Sequence, residues 1–341
     1  MIHRTLGRTG VRVTPLCLGT MMFGAWGNPD HEEGIRVIHA ALDAGINFVD
    51  TADAYSTGEC EEIVGKALKG RRDTVVLATK FNFAMTDDPN TRGASRRWII
   101  QEVENSLRRL QTDWIDLYQV HRPNRDTDIE ETLGALGDLV QQGKIRYAGC
   151  STFPAEWIVE SQWAAQRNHL TRFVSEQPPY SIFVREVEAH VLPTCVDYGM
   201  GVMAWSPLNG GWLTGKYRRD QAPPPGSRMT KGRIPERFDA ALPGNQRKFE
   251  IVDELEKLAG EAGIPIAHLA LAWVLEHPAV TAAIIGPRNL EQLQGLLGAE
   301  EVKLDPAVLD RIDELVPPGT TLNPSDNGIS LPQLARENRR R

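Results

Sequence analysis

The sequence predicts a (β/α)8 TIM barrel, an α/β fold that forms a single domain over residues 1–341. Short apolar strands alternate with amphipathic helices along the chain, which implies a parallel sheet. Eight such strands are found, and that number favours a closed barrel over an open doubly wound sheet. The length of 341 residues is enough for one large barrel of about 250 residues together with insertions.

Each predicted strand is followed by a helix. The first helix, in "DHEEGIRVIHAALDAG", has an apolar stripe of Ile35, Ile38, Ala41 and Leu42, and Gly45 ends it. The strands are predicted at 16–20, 47–51, 74–80, 115–121, 145–151, 172–177, 201–206 and 280–286. Their helices are predicted at 59–70, at 96–110, at 129–142, from Pro154, up to about Gly199 and from Asn289.

Segments outside this alternation are predicted to be additions to the barrel. An N-terminal hairpin turns at 7–10, and extra helices lie at about 249–263, 266–276 and 306–316. Long loops at 81–95 and 207–247 follow strands three and seven, and loops of this length are usually lids or binding segments. A flexible C-terminal tail is expected from about 320 to 341, ending in three arginines.

Composition excludes several classes of protein. The net charge of −7, with both signs scattered, disfavours a nucleic-acid partner. No apolar run approaches the ~20 residues that cross a membrane, and no signal peptide is found. The widely spaced Cys17, Cys60, Cys150 and Cys195 predict a reducing compartment and no metal site. We expect a cytoplasmic enzyme, and a homo-oligomer stays open.

Polar side chains end three neighbouring strands. In "NFVDTADAY", Asp50 ends strand two and Tyr55 lies in the loop after it, while Lys80 ends strand three and His121 ends strand four. Each residue alone has an ordinary explanation, such as a turn cap, a solvated amine or a core histidine. The carboxyl ends of barrel strands meet at one face, however, so these four side chains are expected to share one pocket.

These four groups together predict proton transfer to an oxygen. A phenol has a pKa of about 10, and the Lys80 ammonium is expected to lower the pKa of Tyr55. Asp50 would pair with Lys80, and His121 would orient a substrate oxygen by a hydrogen bond. Reduction of a carbonyl to an alcohol requires such a proton donor where negative charge develops.

The hydride for this reduction must come from a cofactor. No G-x-G-x-x-G follows a strand, but phosphates often bind in the loops after barrel strands seven and eight. Those loops read "SPLNGGWLTGK" (206–216) and "GPRNLEQ" (286–292). The backbone N–H groups from Leu208 to Gly211 are predicted to cradle a pyrophosphate.

Part of the first loop is close to a P-loop pattern. Gly210, Gly215 and Lys216 have the required spacing, but Tyr217 replaces the Ser or Thr that would bind Mg²⁺. No clear helix begins there either. A nucleotide triphosphatase is therefore disfavoured.

Other residues at the strand ends fit a nicotinamide nucleotide. Arg288 just before the helix start at Asn289 predicts an anion site that suits a 2′-phosphate, which favours NADPH over NADH. The alternative is an exposed arginine at a helix start. Ser151 and Gln177 could hydrogen-bond a carboxamide, and Trp205 could stack on a flat ring.

The motifs resemble those of the aldo-keto reductase family over nearly the whole chain, and their sequences are similar to those of bacterial members. They are "NFVDTADAYSTGECEEIVGKAL", "LATKF", "DLYQVHRP", "GCSTF", "AWSPLNGGWLTGK" and "IIGPRNLEQL". The resemblance implies a barrel, NADPH, a small-molecule carbonyl substrate and a tetrad of Asp50, Tyr55, Lys80 and His121, with Tyr55 as the general acid. It implies a cofactor site at Ser151, Thr152, Gln177, Trp205, Ser206, Leu208, Gly210, Gly211, Lys216, Gly286, Arg288 and Gln292.

The chain departs from the family pattern at two places. Thr152 stands where the family often has Asn, and Gly295-Leu296 stands where it often has the Glu-Asn pair that holds the adenine. The resemblance therefore implies that cofactor binding relies more on Arg288 than it does in other family members.

Two further expectations complete the reading of the sequence. Trp26, Phe81 and Phe83, on loops after strands one and three, are expected to wall an apolar substrate pocket. Channel β subunits that bind NADPH with little turnover also resemble this chain, so a regulatory or sensor subunit is the alternative function.

Overall fold

The structure is a computed structural model that describes residues 2–329 and Asn338. Eight parallel strands close into a barrel, in the order β10-β3-β4-β5-β6-β7-β8-β9 defined below, which confirms the predicted fold. A two-stranded antiparallel hairpin precedes it, formed by β1 (Arg4–Thr5) and β2 (Arg12–Val13). The barrel strands are β3 (Leu16–Gly19), β4 (Phe48–Asp50), β5 (Val76–Phe81), β6 (Ile115–Val120), β7 (Ile145–Ser151), β8 (Phe173–Gln177), β9 (Gly201–Ala204) and β10 (Val280–Ile285).

Helices surround the barrel mostly at the positions that the sequence pattern indicated, but α7 was not predicted and α8 begins at Pro243, ahead of the expected start near 249. Several begin where a short polar side chain caps the first turn: Asp30 accepts a hydrogen bond from Glu33 N, Ser95 from Trp98 N, and Asn289 from Gln292 N. The helices are α1 (His31–Asp43), α2 (Glu59–Leu68), α3 (Arg96–Leu110), α4 (Ile129–Gln141), α5 (Ala155–Asn168), α6 (Val191–Asp197), α7 (Arg228–Lys231), α8 (Pro243–Glu261), α9 (Ile266–Glu276), α10 (Leu290–Gln294) and α11 (Pro306–Leu315).

The hydrophobic core has two parts, one between the strands and the helices and one inside the barrel. The inner part includes Phe48 of β4, Leu117 of β6 and Met203 of β9, and the hairpin adds Leu6 and Val13 to it. The hairpin therefore closes the amino end of the barrel. Because side chains alternate along a strand, Asp50 points to the same side as Phe48 and lies at the open carboxyl end.

The C-terminal segment corrects one expectation. Residues 320–329 were expected to begin a flexible tail, but here they pack on the barrel. Asp326 is buried and forms ion pairs with Arg237 (2.7 Å) and Lys248 (2.5 Å), and Thr321 forms a β-bridge with Val184. These contacts come from segments far away in the sequence, which explains why local composition missed them. The rest of the predicted tail, Asn338 apart, lies outside the described residues.

Among the described residues, no single helix is long and apolar enough to cross a membrane, and α8 and α9 meet that test only as a pair bent by 91°. Within the same residues, no group of three or more His, Cys, Asp or Glu side chains is placed to hold a metal ion. All four cysteines are buried and free.

Candidate active site

The structure brings Asp50, Tyr55, Lys80 and His121 together at the carboxyl end of the barrel. The Lys80 ammonium donates hydrogen bonds to Asp50 Oδ2 (2.6 Å), to the Thr51 carbonyl (2.8 Å) and to the Tyr55 hydroxyl (3.2 Å). The rings of Tyr55 and His121 meet edge to face, with their centres 5.6 Å apart. The amine therefore joins the carboxylate to the phenol, and the imidazole stands beside the phenol.

Two glutamines hold the Asp50 carboxylate from its other side. Asp50 Oδ1 accepts hydrogen bonds from Gln177 Nε2 (2.9 Å) and Gln119 Nε2 (3.3 Å). Gln119 was not singled out from the sequence. Strand alternation could have found it, because Leu117 and Gln119 of β6 point to the same side of the sheet as His121, which follows the strand.

The surroundings decide which groups carry charge. Burial lowers the pKa of Lys80, but the Asp50 carboxylate and Tyr55 raise it further, so the pKa lies above its usual range and Lys80 stays charged. Burial lowers the pKa of His121 well below its usual range, and Lys80 and Arg122 lower it further, so the imidazole is neutral.

The pKa of Tyr55 departs from the sequence prediction. Loss of solvent around the hydroxyl raises this pKa, and that effect outweighs the Lys80 ammonium, which lowers it. Lys80 lowers the pKa of Tyr55 as predicted, but the expectation that the phenol is more acidic overall is wrong, because a sequence does not show how deeply the ring is buried. Tyr55 therefore keeps its proton at neutral pH.

The walls of the mouth are aromatic. The ring centre of Trp26 lies 6.1 Å from that of Tyr55, and the ring centre of Phe83, which is 40 % exposed, lies 4.7 Å from that of His121. Phe81 was expected in this wall but is fully buried in the core, with its ring 4.7 Å from that of Tyr118. Lys80 points into the barrel, so its neighbour Phe81 must point outward.

The ends of β7, β8 and β9 form the next part of the rim. The Ser151 hydroxyl donates to the Gln177 carbonyl (2.8 Å), and the Trp205 indole N–H donates to Thr152 Oγ1 (3.3 Å). Thr152 (φ 60°) and Ser206 (φ 58°) have left-handed backbone conformations, which are strained for residues other than glycine. Such strain commonly collects at functional sites.

The loop after β9 is tightly turned. Gly211 has φ 101°, a backbone conformation that residues other than glycine rarely adopt. The predicted row of free N–H groups needs correction, because Asn209 N already donates to the Ser206 carbonyl (2.8 Å) and Gly211 N to the Leu208 carbonyl (2.9 Å). No helix starts at Lys216, so the loop does not have P-loop architecture.

Three cations gather beside this loop. Burial, and then Arg288 and Arg228, lower the pKa of Lys216 to about 8. Burial also lowers the pKa of Arg228 to about 10, with Arg237 and Arg288 adding to the effect. Among the described residues, none of Lys216, Arg228 and Arg288 has a carboxylate within ion-pairing distance. Arg228 lies in the long loop and was not predicted from the sequence, although a basic residue in such a loop was a usable signal.

The remaining predicted cofactor residues lie around α10. The Arg288 guanidinium donates to the Gly226 carbonyl (2.7 Å), which ties the last strand's loop to the long loop after β9. The Arg288 backbone N–H donates to Gln292 Oε1 (3.0 Å). A Cβ on Gly286 would meet nothing within 4 Å, and Leu296 is buried in the core.

These residues fit a phosphorylated nucleotide. A cluster of cations without carboxylates favours binding of phosphate groups. Asn209 lies in the same loop as Lys216. Both polar atoms of its side chain are buried and have no hydrogen-bond partner in the described part of the chain. Such atoms favour a ligand that would complete their hydrogen bonds.

Comparison with known proteins agrees with the geometry. The profile of the Aldo/keto reductase family matches residues 15–317. The chain belongs to the aldo/keto reductase family. The "Uncharacterized oxidoreductase YrpG" of Bacillus subtilis is 41% identical over 329 residues, covering 93% of this chain and 96% of the relative. The family and this relative place the protein among the oxidoreductases, and the resemblance found in the motifs is confirmed.

Other relatives of this aldo/keto reductase carry different names. The "Versiconal hemiacetal acetate reductase" of Aspergillus parasiticus is 35% identical, over 92% of this chain and 96% of the relative. The "Probable voltage-gated potassium channel subunit beta" of Arabidopsis thaliana is 36% identical, over 93% of this chain and 97% of the relative. The family thus includes relatives named as reductases and relatives named as channel subunits.

Proposed function

We propose that this aldo/keto reductase uses NADPH to reduce an aldehyde or ketone carbonyl of a small molecule to an alcohol. One observation carries the proposal: a charged, buried Lys80 connects Asp50 to a protonated Tyr55, beside the neutral His121. Two uncharged proton donors therefore face the mouth of the barrel. Such donors stabilise an oxygen on which negative charge develops.

Each residue has a distinct role in this proposal. When bound, the nicotinamide supplies a hydride. His121 donates a hydrogen bond to the carbonyl oxygen and orients it. Tyr55 gives its proton to that oxygen, and Lys80 stabilises the phenolate that remains. Asp50 keeps Lys80 charged and in place.

The preference for NADPH rests on the three cations. Arg288, Lys216 and Arg228 would hold the 2′-phosphate and the pyrophosphate, and the missing carboxylates leave their charge available. Trp205 would stack on the nicotinamide ring, and Ser151, Thr152 and Gln177 would face its carboxamide. NADH lacks the 2′-phosphate and would bind more weakly.

The test is a comparison of Tyr55→Phe with the parent protein. NADPH and NADH are titrated by fluorescence, and cofactor oxidation is then followed with a panel of aldehydes, ketones and sugars. We expect Tyr55→Phe to lose at least about 10²-fold in kcat, the scale of general acid catalysis, and to bind NADPH as the parent does.

The matched control is Tyr147→Phe on β7, which removes a hydroxyl outside the mouth and is expected to leave turnover unchanged. Reduction by Tyr55→Phe at the parent rate would show that the proton comes from another group.

A second candidate is an NADPH-binding sensor subunit, and the channel-subunit names among the relatives favour it. This alternative predicts tight NADPH binding, slow oxidation with every carbonyl in the panel, and co-purification with a membrane protein. Rapid turnover of any member of the panel would exclude it.

A further inference from the structure

Arg122 lies in the wall of the mouth and has no role in the proposed mechanism. Arg122 follows His121 directly, and its guanidinium carbon lies 5.7 Å from the ring centre of Phe83 and 5.7 Å from that of Trp205. The charge of Arg122 lowers the pKa of both Tyr55 and His121. The guanidinium is therefore next to the groups that would handle the carbonyl oxygen.

The Arg122 guanidinium has few hydrogen-bond partners among the described residues. Its Nη1 donates to the His121 carbonyl (2.7 Å). In the part of the chain that the structure describes, no carboxylate lies within ion-pairing distance of Arg122, and its other N–H groups have no hydrogen-bond acceptor. A guanidinium has five N–H donors in a planar fork, so the contacts of residues 2–329 leave most of its donors unused.

Two other largely buried arginines, Arg109 and Arg185, each pair with carboxylates. Arg109 is held by Glu61 (2.6 Å) and Glu102 (2.5 Å). Arg185 is held by Glu188 (2.9 Å) and Asp313 (2.7 Å). Burial lowers the pKa of Arg122, and Tyr55 and Glu176 act in the opposite direction without forming a hydrogen bond or ion pair with it. A desolvated cation without a bonded counter-ion is costly. The unpaired guanidinium of Arg122 in the mouth therefore favours a negative partner that arrives with a ligand.

We infer that Arg122 binds an anionic group, a carboxylate in the first place, on the carbonyl substrate. The substrate class is then an aldehyde or ketone that also bears a carboxylate, separated from the carbonyl by roughly the width of the Phe83 ring. The inference rests on the proposed function, because it places the carbonyl at Tyr55 and His121.

Further features of the mouth fit this substrate class. The ring centre of Phe83 lies 4.7 Å from that of His121 and 5.7 Å from the Arg122 guanidinium carbon, so the ring forms an apolar wall next to both the oxygen site and the cation. A second arginine, Arg233, lies 3.5 Å over the ring of Trp26 and has no ion pair within residues 2–329. The aromatic rings would pack on the spacer, and the two cations would attract the anion.

The test compares para-formylbenzoate with its methyl ester, two aldehydes of the same shape that differ in charge. At saturating NADPH, the quantity compared is the ratio of kcat/KM for the carboxylate to kcat/KM for the ester. We expect this ratio to be at least about tenfold higher in the parent than in Arg122→Gln, which is the factor that one charge-assisted hydrogen bond supplies. The loss in the variant should appear mainly as a higher KM for the carboxylate. Arg122→Lys should recover part of the preference.

The matched control is Arg125→Gln. Arg125 lies in the same loop and stacks on Trp157 at 3.8 Å, but it pairs with Glu160. Its replacement is expected to leave the ratio between the two aldehydes unchanged. An equal ratio in the parent and Arg122→Gln would overturn the inference, and so would a loss in Arg122→Gln of NADPH affinity alone.

A binding measurement separates this inference from the proposed function. The alcohol para-(hydroxymethyl)benzoate and its amide are titrated into the NADPH complex and followed by calorimetry, which needs no turnover. We expect the carboxylate to bind about tenfold more tightly than the amide in the parent and not in Arg122→Gln. This result without reduction of either aldehyde would refute the proposed function and keep the anion site, whereas equal binding of acid and amide would refute the anion site.

Discussion

At the scale of single residues, the protonation of Tyr55 sets the pH response of the proposed reaction. Reduction needs the protonated phenol, whose pKa lies above its ordinary value of 10.0. The rate of reduction should therefore stay level through neutral pH and fall only as the pH rises past that value. Oxidation of the alcohol needs the phenolate and should rise with pH over the same range.

The measurement is kcat/KM in both directions against pH, with Lys80→Met as the comparison. Loss of the ammonium removes a positive charge that hydrogen-bonds the Tyr55 hydroxyl and lowers its pKa, so the alkaline fall should move to higher pH and the rate should drop. An alkaline fall in the parent near neutral pH would mean that another group is titrating.

Single residues also show what the sequence could reveal about the site. Asp50, Lys80 and His121 were found because each ends a strand, and a parallel barrel gathers strand ends at one face. Phe81 was wrongly expected in the pocket wall, because side chains alternate along a strand and the residue after the inward-pointing Lys80 points outward. The pKa of Tyr55 and the unpaired state of Arg122 depend on burial and on distant partners, which no local pattern contains.

At the scale of elements, the regular parts could be predicted and the long loops could not. Strand period, helix stripes and caps are local, and they located the eight strands and their helices within a few residues. The loop over 207–247 is instead held by the C-terminal segment, since Arg237 in the loop pairs with Asp326, which also pairs with Lys248 on α8. Arg237 also donates to Ser206 Oγ (3.2 Å), next to the proposed nicotinamide position.

This arrangement predicts that Asp326→Asn loosens the cofactor loop. Two buried cations would lose their shared carboxylate, which typically costs about 3–5 kcal/mol of folding stability. We expect a lower Tm in thermal unfolding and a faster release of NADPH in stopped-flow fluorescence.

The control for this change is Asp253→Asn on α8. Asp253 pairs with Arg218 at 3.3 Å but its side chain is 64% exposed, so we expect a change below about 1 kcal/mol. If both variants melt at the same temperature, Asp326 does not anchor the loop.

At the scale of the whole molecule, one buried carboxyl links folding to pH. Glu176 on β8 is fully buried, and its Oε1 accepts a hydrogen bond from Phe153 N (3.1 Å). Its Oε2 has no partner among the described residues. Burial raises the pKa of Glu176 from 4.5 to about 7, which outweighs the hydrogen bonds that lower it.

The raised pKa fixes the sign of the effect on stability. Below 4.5, Glu176 is protonated in the folded and the unfolded chain. Between 4.5 and about 7, the unfolded chain loses this proton while the folded chain keeps it, so the free energy of unfolding falls as the pH rises. Above that range the loss is complete, at up to about 3 kcal/mol for a shift of this size.

Glu176→Gln removes this loss, because the amide stays neutral and can still accept from Phe153 N. In urea unfolding we expect the variant to match the parent near pH 4 and to exceed it by up to about 3 kcal/mol near pH 8. Glu156→Gln, an exposed change on α5, should follow the parent at both pH values. If the parent and Glu176→Gln differ by the same amount at both, folding does not shift the pKa of Glu176 and this carboxyl does not link folding to pH.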